Sequence, residues 1–229
     1  MASRRLKLGA LLLAGAGVAA LAWYGGPGLL RRMDFFRVRR VEVIGARNLS
    51  AEAVVRALRL PARSSMFDDL GPVRRRAASI PGTTAVEVLR RLPGTIRVVV
   101  TESAPVAVVP RAGRMVLIDQ RGRELPFDPT RAAPDLPVAT EANAGLAGLL
   151  ARVRDVDPGL YARISSAQLL QGDVFLDLDG LHIWFRPDAP AEVIRAVVAV
   201  AQDLVRTRRP YRELDARFAG MVVARGRAA

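Results

Sequence analysis

The stretch VRRVEVIGARNLSAEAVVRAL, Val38 to Leu58, passes from one hydrophobic period to another. Val41 and Val43 alternate with Arg40 and Glu42, the two-residue period of a half-buried strand. Gly45-Ala46-Arg47-Asn48 breaks that pattern as a turn. Ser50 then stands where a helix needs an N-cap, with Glu52 in the first turn. Val54 and Leu58 lie four apart on one helical face, with Ala51 and Ala57 close to it. A strand, turn and helix of this kind share one apolar side, which must be buried against more chain.

The residues that follow supply the partners. Leu70, Val73, Ala77 and Ile80 trace a second helix, with Asp68 or Asp69 near its start and Pro81-Gly82 as its stop. Thr84 to Leu89 and Thr95 to Glu102 are rich in β-branched residues, and Ile96, Val98 and Val100 alternate with Arg97, Val99 and Thr101. Between the two strands, Leu92-Pro93-Gly94-Thr95 suits a type II turn. The order is β-α-α-β-β, a small sheet covered on one face by two helices.

A second unit runs from 105 to 225. Val106 to Val109 and Met115 to Asp119 are short strands around the loop Pro110 to Arg114. Ala144 to Val153 reads as a helix capped by Asn143. Val174 to Leu178 and Leu181 to Phe185 flank Asp179-Gly180, a strong two-residue hairpin signal. Pro190 to Val205 is the longest helical pattern, with Val193, Val197, Ala201 and Leu204 on one face. A last strand is expected over Asp215 to Ala224. The chain is therefore α+β, and the second unit is a β-rich domain with two packed helices.

Ahead of both units lies an uncharged run from Leu8 to Leu30, which at about 20 apolar residues is long enough to span a bilayer. Trp23 and Tyr24 suit a membrane–water interface. A cleavable signal peptide is the rival reading, because Ala20-Leu21-Ala22 has the small-residue arrangement of a cleavage site. Arg31, Arg32, Arg37, Arg39 and Arg40 follow the run and, counted alone, oppose export of the body. A folded domain can translocate despite such charges, and Met1 to Lys7 contain nothing to fold. The expected arrangement is a short cytoplasmic segment (1–7), a transmembrane anchor (8–30) and a body outside the cytoplasm ending in a tail (226–229).

Composition narrows function. The net charge of +13 invites a nucleic-acid reading, but Lys7 is the only lysine and the arginines are scattered in short clusters, as coding bias would leave them. No aromatic-interleaved platform for single strands is present, so no nucleic acid is expected. The absence of cysteine rules out disulfides and thiolate chemistry. His182 is the single histidine and lies in an alternating strand, which excludes a histidine metal cluster. Asp155 and Asp157 read as turn residues, Asp179 belongs to the hairpin turn beside Asp177, and Asp68-Asp69 read as caps. Ser64-Ser65 and Ser165-Ser166 lack a nucleophile-elbow frame, and no phosphate-cradling glycine loop occurs. No catalytic, metal or cofactor-binding residue is expected, and no cofactor. What remains is binding, for which the free edge of a small sheet offers unpaired backbone groups.

Five pieces of the chain, in order, resemble the FtsQ/DivIB cell-division family: VEVIGARNLSAEAVVRAL, RRLPGTIRVVVTESAPVAVV (Arg90 to Val109), LIDQRG (Leu117 to Gly122), PDLP (Pro134 to Pro137) and LDARFAGMVVARG (Leu214 to Gly226). The pattern departs from the family at Phe185-Arg186, where a leucine-glycine pair is usual. The resemblance implies a POTRA domain over 34–104 and an FtsQ-type β domain over 105–225. It implies a single-pass protein of the bacterial inner membrane with its amino terminus in the cytoplasm. It also implies a non-enzymatic scaffold of the divisome that binds an FtsB/FtsL-type pair and helps control septal peptidoglycan synthesis. In the family the last strand of the β domain receives the partner, which carries over here to Arg217, Phe218, Ala219, Gly220, Met221, Val222 and Val223. Phe218, Met221 and Val223 read equally well as core residues of a terminal strand. By the same resemblance, the POTRA domain recruits other division proteins. An alternative function is a POTRA-containing assembly or export factor that binds substrate strands by β-augmentation.

Overall fold

The computed structural model describes residues 33–132 and 135–226. The expected cytoplasmic segment, the anchor over 8–30, Pro134 and the end of the tail lie outside the described residues. Among the described residues, no helix is long and apolar enough to cross a membrane. The chain divides into two compact units between Glu102 and Ser103.

The first unit has the expected order. It contains β1 (Arg40–Ile44), α1 (Ala51–Leu58), α2 (Gly71–Ala78), β2 (Thr83–Arg91) and β3 (Thr95–Glu102). β3 is central, parallel to β1 and antiparallel to β2. Ser50 caps α1 by accepting the Ala53 N–H at 3.1 Å, as its position required. Val54 and Leu58 of α1, Val73 and Ala77 of α2, and Ile96, Val98 and Val100 of β3 close one apolar cluster. The alternation along β3 thus points one full face at the helices.

Two turns fix this unit. Gly45 has φ +86°, and a Cβ there would lie 2.2 Å from the Val100 carbonyl oxygen, so only glycine fits. Immediately beyond it, the Glu102 carboxylate accepts the N–H groups of Arg47, Asn48 and Leu49 at 2.8–2.9 Å and the Asn48 side-chain amide at 2.9 Å. Partial burial raises the Glu102 carboxyl, but these bonds outweigh it and hold the group below its ordinary value. The second turn differs from expectation. The Leu92–Pro93 peptide is cis and Gly94 lacks the positive φ that a type II turn requires. Gly94 is needed for space instead, because a Cβ would lie 2.6 Å from the Arg37 carbonyl oxygen. The α2 caps are also rearranged. Asp68 accepts the Ser65 N–H at 2.7 Å and Asp69 the Gly71 N–H at 2.8 Å, while Leu70 is the residue at the N-cap.

The second unit is built on a nine-stranded sheet. Its strands are β4 (Pro105–Arg111), β5 (Arg114–Asp119), β6 (Glu124–Leu125), β7 (Val138–Ala139), β8 (Ser166–Leu170), β9 (Asp173–Leu178), β10 (Leu181–Phe185), β11 (Glu213–Asp215) and β12 (Val223–Arg225). Their order is β12-β11-β10-β9-β8-β7-β4-β5-β6. Helices α3 (Pro129–Ala132), α4 (Ala144–Val156), α5 (Pro158–Ala162) and α6 (Ala191–Arg206) complete it, two long and two short. Asn143 caps α4 through the Gly145 N–H at 2.8 Å, and Asp157, read from sequence as a turn residue, caps α5 through the Leu160 N–H at 2.7 Å. Leu146, Leu149, Leu150 and Val153 of α4 and Ile194 and Val197 of α6 bury themselves against Val106, Leu176, Ile183 and Leu214 of the sheet. Asp119 in the LIDQRG stretch plays the part that Glu102 plays upstream. It is 3% exposed and accepts the Arg121 and Arg123 N–H groups at 2.9 and 3.0 Å and the Arg123 guanidinium at 2.7 Å.

Candidate partner-binding edge

The carboxyl-terminal end of the sheet is assembled around one buried acid. β11 runs parallel to β10, with Trp184 opposite Asp215, and antiparallel to β12, with Asp215 opposite Val223. The Asp215 side chain is 0% exposed and could not remain ionised there without partners. Arg217 supplies two contacts, Nη2 to Oδ2 at 2.7 Å and Nε to Oδ1 at 2.9 Å. Arg225 adds a third at 3.2 Å from β12 and also pairs with Glu213. The Arg217 bonds hold the Asp215 carboxyl below its ordinary value against the opposing effect of burial, and the Arg217 guanidinium is correspondingly pushed up. Arg217 also reaches Asp173 of β9 at 3.1 Å and stacks over the Trp184 ring at 4.6 Å. Phe175 meets Trp184 edge-on at 5.0 Å and His182 at 4.9 Å, so an aromatic row lies beneath the arginine.

This arrangement corrects the expected last strand. Asp215 to Ala224 is not one strand but two short ones, and Arg217, Phe218, Ala219, Met221 and Val222 lie in the connection between them. Of the expected contact residues, Val223 alone is in β12. The physical reason is local. The Arg217 N–H donates to Asp215 Oδ1 at 3.2 Å while its guanidinium doubles back on the same carboxylate, which ends β11, and Gly220 at φ +74° turns the chain. The connection leaves Phe218 48% and Met221 60% exposed, so neither is a core residue, whereas Val223 is half-buried. Asp215, Arg225, Asp173 and Trp184 were not singled out from the sequence for this site. The spacing Asp215-x-Arg217 was its one legible signal.

β12 is a terminal strand of its sheet. The Arg225 carbonyl accepts the Arg212 N–H at 3.0 Å, so Arg225 faces β11. Strand alternation then turns the N–H and C=O of Ala224 toward the open edge. Beside this edge stand the exposed Phe218 and Met221, two large apolar side chains without the burial that such groups normally find.

The residues weighed for catalysis take structural positions. His182 Nε2 is 3.8 Å from Asp177 Oδ1, and Asp177 also accepts the Gly180 N–H at 3.0 Å in the hairpin turn. The Ser64 hydroxyl donates to the Pro61 carbonyl at 2.8 Å and the Ser165 hydroxyl to the Asp177 carbonyl at 2.9 Å. Among the described residues, no group of acids or histidines has the geometry of a metal site.

The fold and the edge together define a class: a POTRA unit followed by a β-rich unit with an exposed terminal strand. Residues 36–103 match the model of the POTRA domain of FtsQ type. The cell division protein FtsQ of Novosphingobium aromaticivorans is 30% identical over 58% of this chain and 42% of its own length. That of Streptomyces bingchenggensis is 34% identical over 53% and 47%, and that of Hirschia baltica 27% identical over 91% and 80%. The chain thus spans less than half the length of the first two relatives. The solved extracytoplasmic domain of DivIB from Geobacillus stearothermophilus aligns at 20% identity and TM-score 0.34, covering 46% of this chain and 97% of that one. Residues 36–103 thus form a POTRA domain of FtsQ type, and the chain as a whole is similar to cell division proteins FtsQ.

Proposed function

We propose that this protein is a non-enzymatic, single-pass scaffold of the bacterial divisome, held in the inner membrane by Leu8–Leu30 with its body outside the cytoplasm. Its β-rich unit accepts a strand from an FtsB/FtsL-type complex along the free edge of β12, and this binding helps control septal peptidoglycan synthesis. The POTRA unit recruits other division proteins. The observation that carries the reading is the open backbone edge at Ala224 beside the exposed Phe218 and Met221. Backbone pairing at such an edge supplies affinity, and flanking apolar side chains supply selectivity. The loop residues Arg217, Phe218, Ala219, Met221 and Val222 then flank the incoming strand, and Val223 lies within the strand that receives it.

The test is a titration of the full chain in detergent or nanodiscs against the ectodomains of the host's FtsB- and FtsL-like proteins. Ala224→Pro removes an N–H that faces away from β11, so the hairpin survives while the edge loses a donor. Binding is expected to weaken at least tenfold in Ala224→Pro and in Phe218→Ser, with the thermal midpoint of unfolding unchanged within a few degrees. Binding that survives Ala224→Pro would move the site away from this edge. Absence of binding by the unsubstituted chain would remove the FtsB/FtsL reading.

A further inference from the structure

The amino-terminal end of the POTRA unit combines two features that no strand-pairing role requires. Met33, Phe35 and Leu92 are 44%, 55% and 62% exposed, although all three are large and apolar. Around them stand the exposed Arg37, Arg39, Arg40 and Arg91. The topology brings them together. Arg40 and Arg91 both sit opposite Thr95, one on each edge strand, so they lie in a single row across the sheet. The hairpin tip carrying Leu92 is tied to the Arg37–Arg40 segment, because Gly94 O accepts the N–H groups of Arg39 and Arg40 at 2.8 and 3.2 Å. Phe35 is brought to the same end by the 3-10 turn Asp34–Phe36, whose Asp34 carbonyl accepts from the Arg39 guanidinium at 3.2 Å. Asp34 is the acid within this group, paired with Arg37 at 2.8 Å, which leaves the surface strongly cationic.

We propose that this end of the POTRA unit is a footing that rests on anionic phospholipid, with its arginines on headgroup phosphates and Phe35 and Leu92 at the headgroup–acyl boundary. It rests on the anchor reading above. Met33 follows Leu30 by three positions, so it can lie at most about 11 Å from the end of the apolar run. That is close to the Debye length of about 8–10 Å at cellular ionic strength, so the start of the unit is tethered within reach of the field of an anionic leaflet, toward which this cationic end can turn. A guanidinium fork matches phosphate oxygens, and exposed apolar side chains beside it supply the second attachment that stable surface binding requires.

Because the chain has no cysteine, Leu92→Cys gives one labelling position for an environment-sensitive fluorophore, and Arg47→Cys, in the turn at the other end of β1, gives a control. The full-length variants are reconstituted into vesicles of phosphatidylcholine alone or of a mixture rich in phosphatidylglycerol. In the anionic vesicles, the label at 92 is expected to show apolar emission and several-fold stronger quenching by spin-labelled lipid than the label at 47. High salt, or the triple change Arg39→Glu, Arg40→Glu, Arg91→Glu, should return it to an aqueous spectrum. The salt titration uses the native arginines and so does not depend on the triple variant folding. A label at 92 that stays aqueous in anionic vesicles overturns the footing while leaving the anchor intact. Burial that ignores lipid charge and salt overturns it as well. A chain that cannot be incorporated in alkali-resistant form overturns the anchor reading and the footing together.

Discussion

Glu102 shows how much one side chain organises in this fold. Its carboxylate collects three successive N–H groups from the turn after β1 and so ties the start of the POTRA unit to the end of its central strand. Charge-assisted bonds of this kind contribute about 1.5–3 kcal/mol each, net of the bonds to water they replace. Glu102→Gln keeps the shape but loses the charge, and a destabilisation of about 1–2 kcal/mol is expected in equilibrium urea unfolding. The pH dependence has a definite sign. Glu102, Asp119 and Asp215 are all held below their ordinary values of 4.5, 3.8 and 3.8. A carboxyl depressed in the folded state contributes stability that is complete above its ordinary value and lost as pH falls through its folded value. The urea midpoint should therefore be flat with respect to these groups above about pH 5 and fall steadily below about pH 4. Glu102→Gln should make that acid limb shallower, and an unchanged limb would remove Glu102 from the account.

At the scale of elements, legibility followed the range of the signal. Capped helices and the Asp179-Gly180 hairpin were readable because a cap or turn residue and a periodic run lie within a few positions of each other. β7 was not, since two residues joined in parallel to β4 and β8 carry no local pattern and exist through distant pairing alone. β8, with the sequence SAQLL, has little β propensity and is held by its antiparallel pairing to β9 across the turn Gln171-Gly172, where both residues have positive φ. The last strand failed for a different reason. RFAGMVV alternates well enough to read as extended, but the demand of buried Asp215 for two arginines overrides that preference, and Gly220 was the clue that the run breaks. The long helix α6 allows a direct check of which face the core holds. Ile194 is 0% exposed and Val205 70% exposed. Ile194→Ala is expected to cost about 2–4 kcal/mol in denaturant unfolding, while Val205→Ser should stay within about 0.5 kcal/mol. Equal effects would mean that the helix does not present the face described.

For the molecule as a whole, the informative fact is that most of the buried apolar residues fall into two clusters, one confined to residues 36–100 and the other to residues 106–222. Cooperativity in small domains follows the contiguity of the core, so each unit has the means to unfold as its own cooperative block. The consequence is measurable by native-state hydrogen exchange. Ile96 is 1% exposed at the centre of the first cluster, and Ile96→Ala should cost about 2–4 kcal/mol there. Amides of β1, β2 and β3 should then exchange at least tenfold faster, and those of β9 and β10 should keep their native rates. If both sets accelerate together, the two clusters unfold as one block and the division into separate cooperative units fails.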